Sequence, residues 1–227
     1  MNFLLEAVRH LLDPANTAVL TQRVGEHLLY SFLALAIAMA VGLPLGLWLG
    51  HRRTGSSAIL AFSGALRAMP TLGLLTFLTV QLSFGIRLPL IPAIIVLVIL
   101  AIPPVLANSF SGIAAIPATI VDSARAVGHT EFQILSRVEL PLAGATIVGG
   151  VRSGMVQVMA SATVASYIGL GGLGRLILDG LAVQDYARMV AGALVIIALT
   201  LLIDAALAVV QRAVRPAGVR GRSPRRR

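Results

Sequence analysis

Cysteine and lysine are both absent from the 227 residues, and only 12% of the chain is charged. Without cysteine there are no disulfides and no thiolate metal sites. Without lysine there is no G-x-x-x-x-G-K-[ST] phosphate loop and no Schiff-base chemistry. Any ATP hydrolysis linked to this chain must therefore occur on another polypeptide. Aromatic residues are also scarce, at 5% with one Trp and three Tyr. His10, His27, His51 and His129 are scattered along the sequence, a distribution that offers no metal-ligand cluster.

Apolar residues fill the space, at 57% of the chain with a mean hydropathy of +0.92. A soluble core cannot absorb that much apolar surface, and lipid gives backbone groups no hydrogen-bond partner, so only helices or closed barrels span a bilayer. The uncharged runs are too long for barrel strands, and the expected fold class is an all-α integral membrane protein. About five transmembrane helices are predicted, over 28–50, 58–85, 90–112, 142–168 and 187–210. Residues 1–23 read as an amphipathic interfacial segment. Glu6, Arg9 and Asp13 interrupt their apolar residues, unlike a signal peptide. The main membrane domain covers 24–210, and 211–227 forms a basic tail with seven Arg and no acid.

Five spans place the two ends of the chain on opposite sides. With the C-terminus cytoplasmic, the inner segments carry 11 Arg and the outer ones five, with Arg67 and Arg152 counted in neither. The positive-inside rule selects this orientation in the cell membrane. The tail then accounts for much of the net charge of +9, and the hydropathy argues against nucleic acid as a partner. No interval between spans is long enough for a soluble domain, and no inverted repeat of the kind found in many secondary transporters is evident.

The cytoplasmic loop on this map contains DSARAVGHTEFQILSRVELPLA, residues 122 to 143. Residues 116–127 can form one short helix, Gly128 a turn with positive φ, and residues 130–138 a second helix, with Glu131 near its positive end. Asp122, Ser123, Ala124 and Gly128, followed after nine residues by Val138, Leu140 and Pro141, resemble the EAA motif of ABC importer permeases. The spacing matches, with Asp in place of Glu, Ser in place of the first Ala and Val in place of Ile. The likeness extends over about 24–210. RAMPTLGLL (67–75), IPPVLANSFSGI (102–113), ATVASYIGLGGLG (162–174) and AGALVIIAL (191–199) look like the osmoprotectant branch. The glycine-rich piece also occurs in methionine-type permeases, and Ala107 stands where many relatives carry Arg.

This resemblance implies a type I importer permease with a methionine-importer-like fold and cytoplasmic coupling helices. It implies no cofactor and no enzymatic activity of the chain's own. Its implied partners are ABC ATPase subunits, a second permease subunit, identical or paralogous, and an extracytoplasmic substrate-binding protein. The implied solute is glycine betaine, choline or carnitine, with methionine or another small solute as the alternative. A self-sufficient secondary transporter or channel is the rival from another class. A quaternary ammonium ion is usually held by several aromatic faces, and their scarcity places such a cage in the separate binding protein.

Other residues have weaker signals. Gly169, Gly171, Gly172 and Gly174 fit the letters G-x-G-x-x-G, but no strand precedes them, so they read as a flexible turn at the external mouth, a candidate gate. Gly42, Gly46 and Gly50, like Gly150 and Gly154, recur every four residues and suit close helix packing. Gly149, Ser153, Gln157 and Ser161 form a polar stripe, which serves either interhelical bonding or a substrate path. Asn108 joins the candidate path. Arg67, within the second predicted span, reads either as a cytoplasmic anchor or as a path residue. Asp204 reads as reaching the inner interface, and Met155 and Met159 as packing.

Overall fold

The computed structural model describes residues 3–215. The tail beyond them, including most of its arginines, lies outside the described residues. Ten α-helices are present among these residues: α1 (Phe3–Leu12), α2 (Pro14–His51), α3 (Ser56–Ala68), α4 (Thr71–Gln81), α5 (Leu90–Ala114), α6 (Ala118–Ala126), α7 (Glu131–Ile134), α8 (Leu140–Ala162), α9 (Gly174–Ala182) and α10 (Tyr186–Ala213). A π-helical segment, Leu135–Glu139, joins α7 to α8, and a 3-10 turn, Val164–Ile168, follows α8.

Four helical stretches are long and apolar enough to cross a membrane: Pro14–His51, Leu90–Ala114, Glu131–Ile168 and Tyr186–Ala213. The expected second span, 58–85, departs from a single rod. It is broken between α3 and α4, where Met69 is extended at φ −71° and ψ 129°. Pro70 is the reason: its ring disfavours α geometry at the preceding residue, and it has no N–H to donate. Discontinuous helices of this kind are tolerated at membrane depth where protein or a polar cavity covers the freed backbone.

The first span also starts earlier than expected. Asp13 caps α2 by accepting a 2.9 Å hydrogen bond from the Ala15 N–H, and Pro14 occupies the first turn, where its missing N–H costs nothing. The boundary at 23/24 therefore falls inside a continuous helix. Its 38 residues reach roughly 57 Å, well beyond a hydrocarbon core of about 30 Å. α1 remains a separate short helix whose Leu4, Leu5, Val8 and Leu12 are exposed, as suits an interfacial segment.

Helix α5 is the centre of the bundle, packed between α2 and α8. The glycines permit this. A Cβ at Gly46 would come within 2.7 Å of the Ser109 Cβ, one at Gly50 within 2.9 Å of the Ile113 Cβ, and one at Gly150 within 2.6 Å of the Asn108 Cβ. The four-residue glycine ridges thus bring backbone against backbone, the small-residue packing of membrane helices. Ala34 and Ala38 meet Leu97, Ala101, Val158 and Ala162 at the crossing, while Met155 and Met159 are buried beside Leu35 and Val105, as packing residues. By contrast, only 6% of the most apolar stretch of α10 is buried within the chain.

Candidate functional site: a helix-pair loop, a polar cavity and a glycine-rich turn

Beside the C-terminal end of α2, α6 and α7 form the helix pair anticipated for 116–138, with one difference. Gly128 is at φ +89°, the left-handed conformation open to glycine, and Thr130 then caps α7. Thr130 Oγ1 accepts from the Gln133 N–H at 3.3 Å, and Gln133 Oε1 accepts from the Thr130 N–H at 2.9 Å, completing a capping box. The second helix does not end near Val138, however. It runs through the π segment directly into α8. Pro141 explains the change, because it cannot donate to the Arg137 carbonyl and its ring crowds that group, a conflict that a wider π turn relieves.

Side chains brace this loop. Arg125 donates from Nε to Glu131 Oε1 at 2.8 Å and from Nη2 to Oε2 at 3.0 Å, and from Nη1 to Asp122 Oδ1 at 3.0 Å. These carboxylates, Glu131 first, raise the Arg125 pKa above its ordinary value. Ser123 bonds back to the Thr119 carbonyl, and Ala124 packs towards Ile113, Val121 and Ile134. Val138 is half-buried, whereas Leu140 and Pro141 are exposed. On either side of the Gly128 turn, Val127 and Phe132 are 74% and 77% exposed, so the tip is apolar and bare. A cleft of about 660 Å³ opens beside it, lined by Trp48, His51, Arg53, Asp122, Arg125 and Phe132 among others.

The polar stripe of α8 divides. Ser153 and Gln157 line a cavity of about 440 Å³ with Leu66, Thr71, Leu100, Pro103 and Pro104. That cavity lies against the break between α3 and α4. It also meets the paired prolines of α5, which supply no N–H to the carbonyls one turn before them. Ser161 is buried and only accepts a 3.4 Å bond from Gln157 Nε2. Asn108 is turned to its own helix, donating to the Pro104 carbonyl at 2.8 Å and packing on Gly150. Gly149 faces Gln211 of α10. The side chain of Arg67 lies outside the described residues, although its backbone is in α3.

Away from that loop, the glycine-rich turn is anchored to α2. Gly172, at φ +88°, donates its N–H to Glu26 Oε2 of α2 at 2.7 Å. Gln22 and Arg23 hold the same carboxylate at 2.8 and 3.0 Å. His27, 1% exposed, bonds the Met159 carbonyl through Nε2 at 3.1 Å and lies against Gly172. Gly169 is exposed at φ +86°, and a Cβ on Gly171 or Gly174 would collide with Glu26 or with the Thr163 carbonyl, respectively. Where a flexible turn was expected, the structure has one held by specific bonds, and α9 follows it.

Two features escaped the sequence reading. Arg152 and Asp204 form a two-pronged ion pair between α8 and α10, with Nη2 to Oδ2 at 2.6 Å, and Arg152 also donates to Gln211 at 3.3 Å. Asp204 thus has a partner across helices that the sequence reading did not give it. The signal was available, since charges within spans need partners. The second feature is His51, whose ring lies between Glu131 and Glu139.

Residues 42–216 match the family described as binding-protein-dependent transport system inner membrane component. The chain is 33% identical over 206 residues to the glycine betaine/carnitine/choline transport system permease protein OpuCB of Bacillus subtilis, covering 91% of this chain and 93% of that protein. It is 28% identical to the osmoprotectant import permease protein OsmW of Salmonella typhimurium, covering 95% and 100%. Among solved structures, an inward-facing conformation of the MetNI methionine ABC transporter superposes with a TM-score of 0.77 at 22% identity, over 90% of this chain and all of that one.

Proposed function

We propose that this chain, which belongs to the binding-protein-dependent transport system inner membrane component family and is the membrane permease subunit of an ABC importer, passes a small quaternary ammonium osmoprotectant. Glycine betaine, choline and carnitine are named for relatives that match nearly its full length. The polar cavity at Ser153, Gln157 and Thr71 suits a path more than a high-affinity receptor, because no aromatic residue lines it among the described residues. Tight capture then falls to a separate extracytoplasmic binding protein. Hydrolysis falls to ATPase subunits, since the chain has no lysine for a phosphate loop. A second permease completes the path between the subunits, and the C-terminus faces the cytoplasm.

The observation that carries this reading is the 122–141 segment. Its motif spacing coincides with a helix, a left-handed Gly128 and a second helix continuous with α8, so a push on the exposed tip reaches a membrane span without a hinge. The test is Gly128→Val. No atom lies within 4 Å of a Cβ there, so the cost is backbone strain of roughly 1–2 kcal/mol, localised to the tip. Membrane insertion should be unchanged, while copurification of the ATPase falls and receptor-stimulated hydrolysis is lost or uncoupled. Wild-type transport per ATP with the ATPase retained would remove the main support for the reading.

A further inference from the structure

His51 ends α2, the helix of the first span, and its side chain is only 15% exposed. Its Nδ1 lies 2.6 Å from Glu139 Oε2 and its Nε2 lies 3.0 Å from Glu131 Oε2. Each ring nitrogen thus faces a carboxylate oxygen, and a nitrogen that carries a proton donates to the oxygen it faces. Glu139 is 1% exposed, and a buried carboxylate needs such a partner.

The π segment makes this arrangement possible. In an unbroken α-helix, residues 131 and 139 would diverge by roughly 80° around the axis. The π turn advances less per residue, which takes up that difference and aims both carboxylates at one imidazole. Glu131 is shared, because Arg125 of α6 holds its other side. A chain of charge-assisted bonds therefore runs from Asp122 through Arg125, Glu131 and His51 to the end of α2. The neighbouring arginines are engaged elsewhere: Arg53 donates to the Ile116 carbonyl at 2.6 Å, and Arg52 stacks on Trp48 at 4.6 Å.

We infer that His51 is a positioning residue that ties the ATPase-facing segment to α2, so that displacement of 118–141 moves the first span together with α8. This rests on the reading of that segment as the coupling loop. α8 follows the tip through continuous backbone, whereas α2 meets it through the His51 pairs, through Arg53 on the Ile116 carbonyl, and through Leu43 and Leu47 packed on the cluster that includes Val121 and Ile134. Of these only the His51 pairs reach the π segment's buried carboxylate, so loss of the tie leaves the ATPase docked but weakens the delivery of its motion to α2.

The experiment uses the whole complex, with its ATPase, partner permease and receptor, in proteoliposomes supplied with labelled glycine betaine. His51→Ala is made alone and with Glu139→Gln, so that no carboxylate is left buried without its partner. The double variant is expected to keep its ATPase subunits while transport per ATP hydrolysed falls about fivefold or more, the lower end of measured coupling between sites. His51→Gln keeps one donor and should fall between wild type and His51→Ala. An assembled double variant with the wild-type ratio overturns the inference. Gly128→Val, run in parallel, separates the two ideas. If it uncouples and the His51 variants do not, only the tie fails. If neither does, the coupling-loop reading fails as well.

Discussion

Two joints of different chemistry tie α2 to the rest of the bundle. At the one that the proposed orientation places outside, Glu26 accepts a backbone N–H from Gly172, and His27 packs against the same glycine. At the one that it places inside, His51 meets the side chains of Glu131 and Glu139. The outer joint involves main chain in a left-handed turn where added side-chain atoms collide, so it has little freedom to rearrange. The inner joint is built from side-chain pairs on a partly exposed loop, and such pairs can part and re-form without refolding a helix. One helix thus has a fixed end and an adjustable end. The adjustable end faces the segment that we assign to the ATPase.

The largest effect expected from breaking this comparison is at the fixed end. Gly174→Val drives a side chain into the Thr163 carbonyl and Ser166, and should cost about 3 kcal/mol or more, the upper range for overpacking. The measurement is the thermal stability and yield of the purified complex. Unchanged stability would mean that the outer turn is free to move after all.

Glu26→Ala is the next in size. It leaves the buried Gly172 N–H without its partner and should cost about 1–3 kcal/mol, visible as faster amide exchange at 169–174. Exchange at 128–139 should not change. An equal rise at both ends would show that the two joints are not independent.

The smallest perturbation tests which end is which. The chain has no cysteine, so single cysteines at Ser56 and Gln184 report topology without background. An impermeant reagent added outside should label Gln184→Cys and spare Ser56→Cys. The reverse pattern would invert the assignment of outer and inner joints.

Several elements were legible in the sequence because their signal is local. The third and fifth predicted spans agree with α5 and α10 to within four residues at each end. Gly128 was placed at positive φ from the break between two helix patterns, and the four-residue glycine ridges were identified as packing surfaces. Other signals were present but outweighed. Met69-Pro70 breaks a largely apolar run, with Arg67 inside it, that was read as one helix, and Asp13-Pro14 is a helix start that the reading placed in an interfacial segment. Of the candidate path residues with described side chains, Ser153 and Gln157 share the cavity and Asn108 and Ser161 do not line it. A four-residue spacing identifies a face of a helix but not what lies opposite it.

By itself the sequence determined that the chain lives in a membrane, that it is helical, and that a loop with the spacing of residues 122–141 joins two spans. These follow from composition and from intervals of a few residues, which local backbone geometry converts directly into structure. Only the tertiary structure decided that Arg152 pairs with Asp204, that Glu26 holds Gly172, and that His51 stands between Glu131 and Glu139. Those partners are separated by 52 to 146 residues along the chain, and Glu139 is in addition brought round by a π turn. No local rule links such positions. They meet because glycine ridges set how closely α2, α5 and α8 approach, and that packing determines which polar groups come within hydrogen-bond reach.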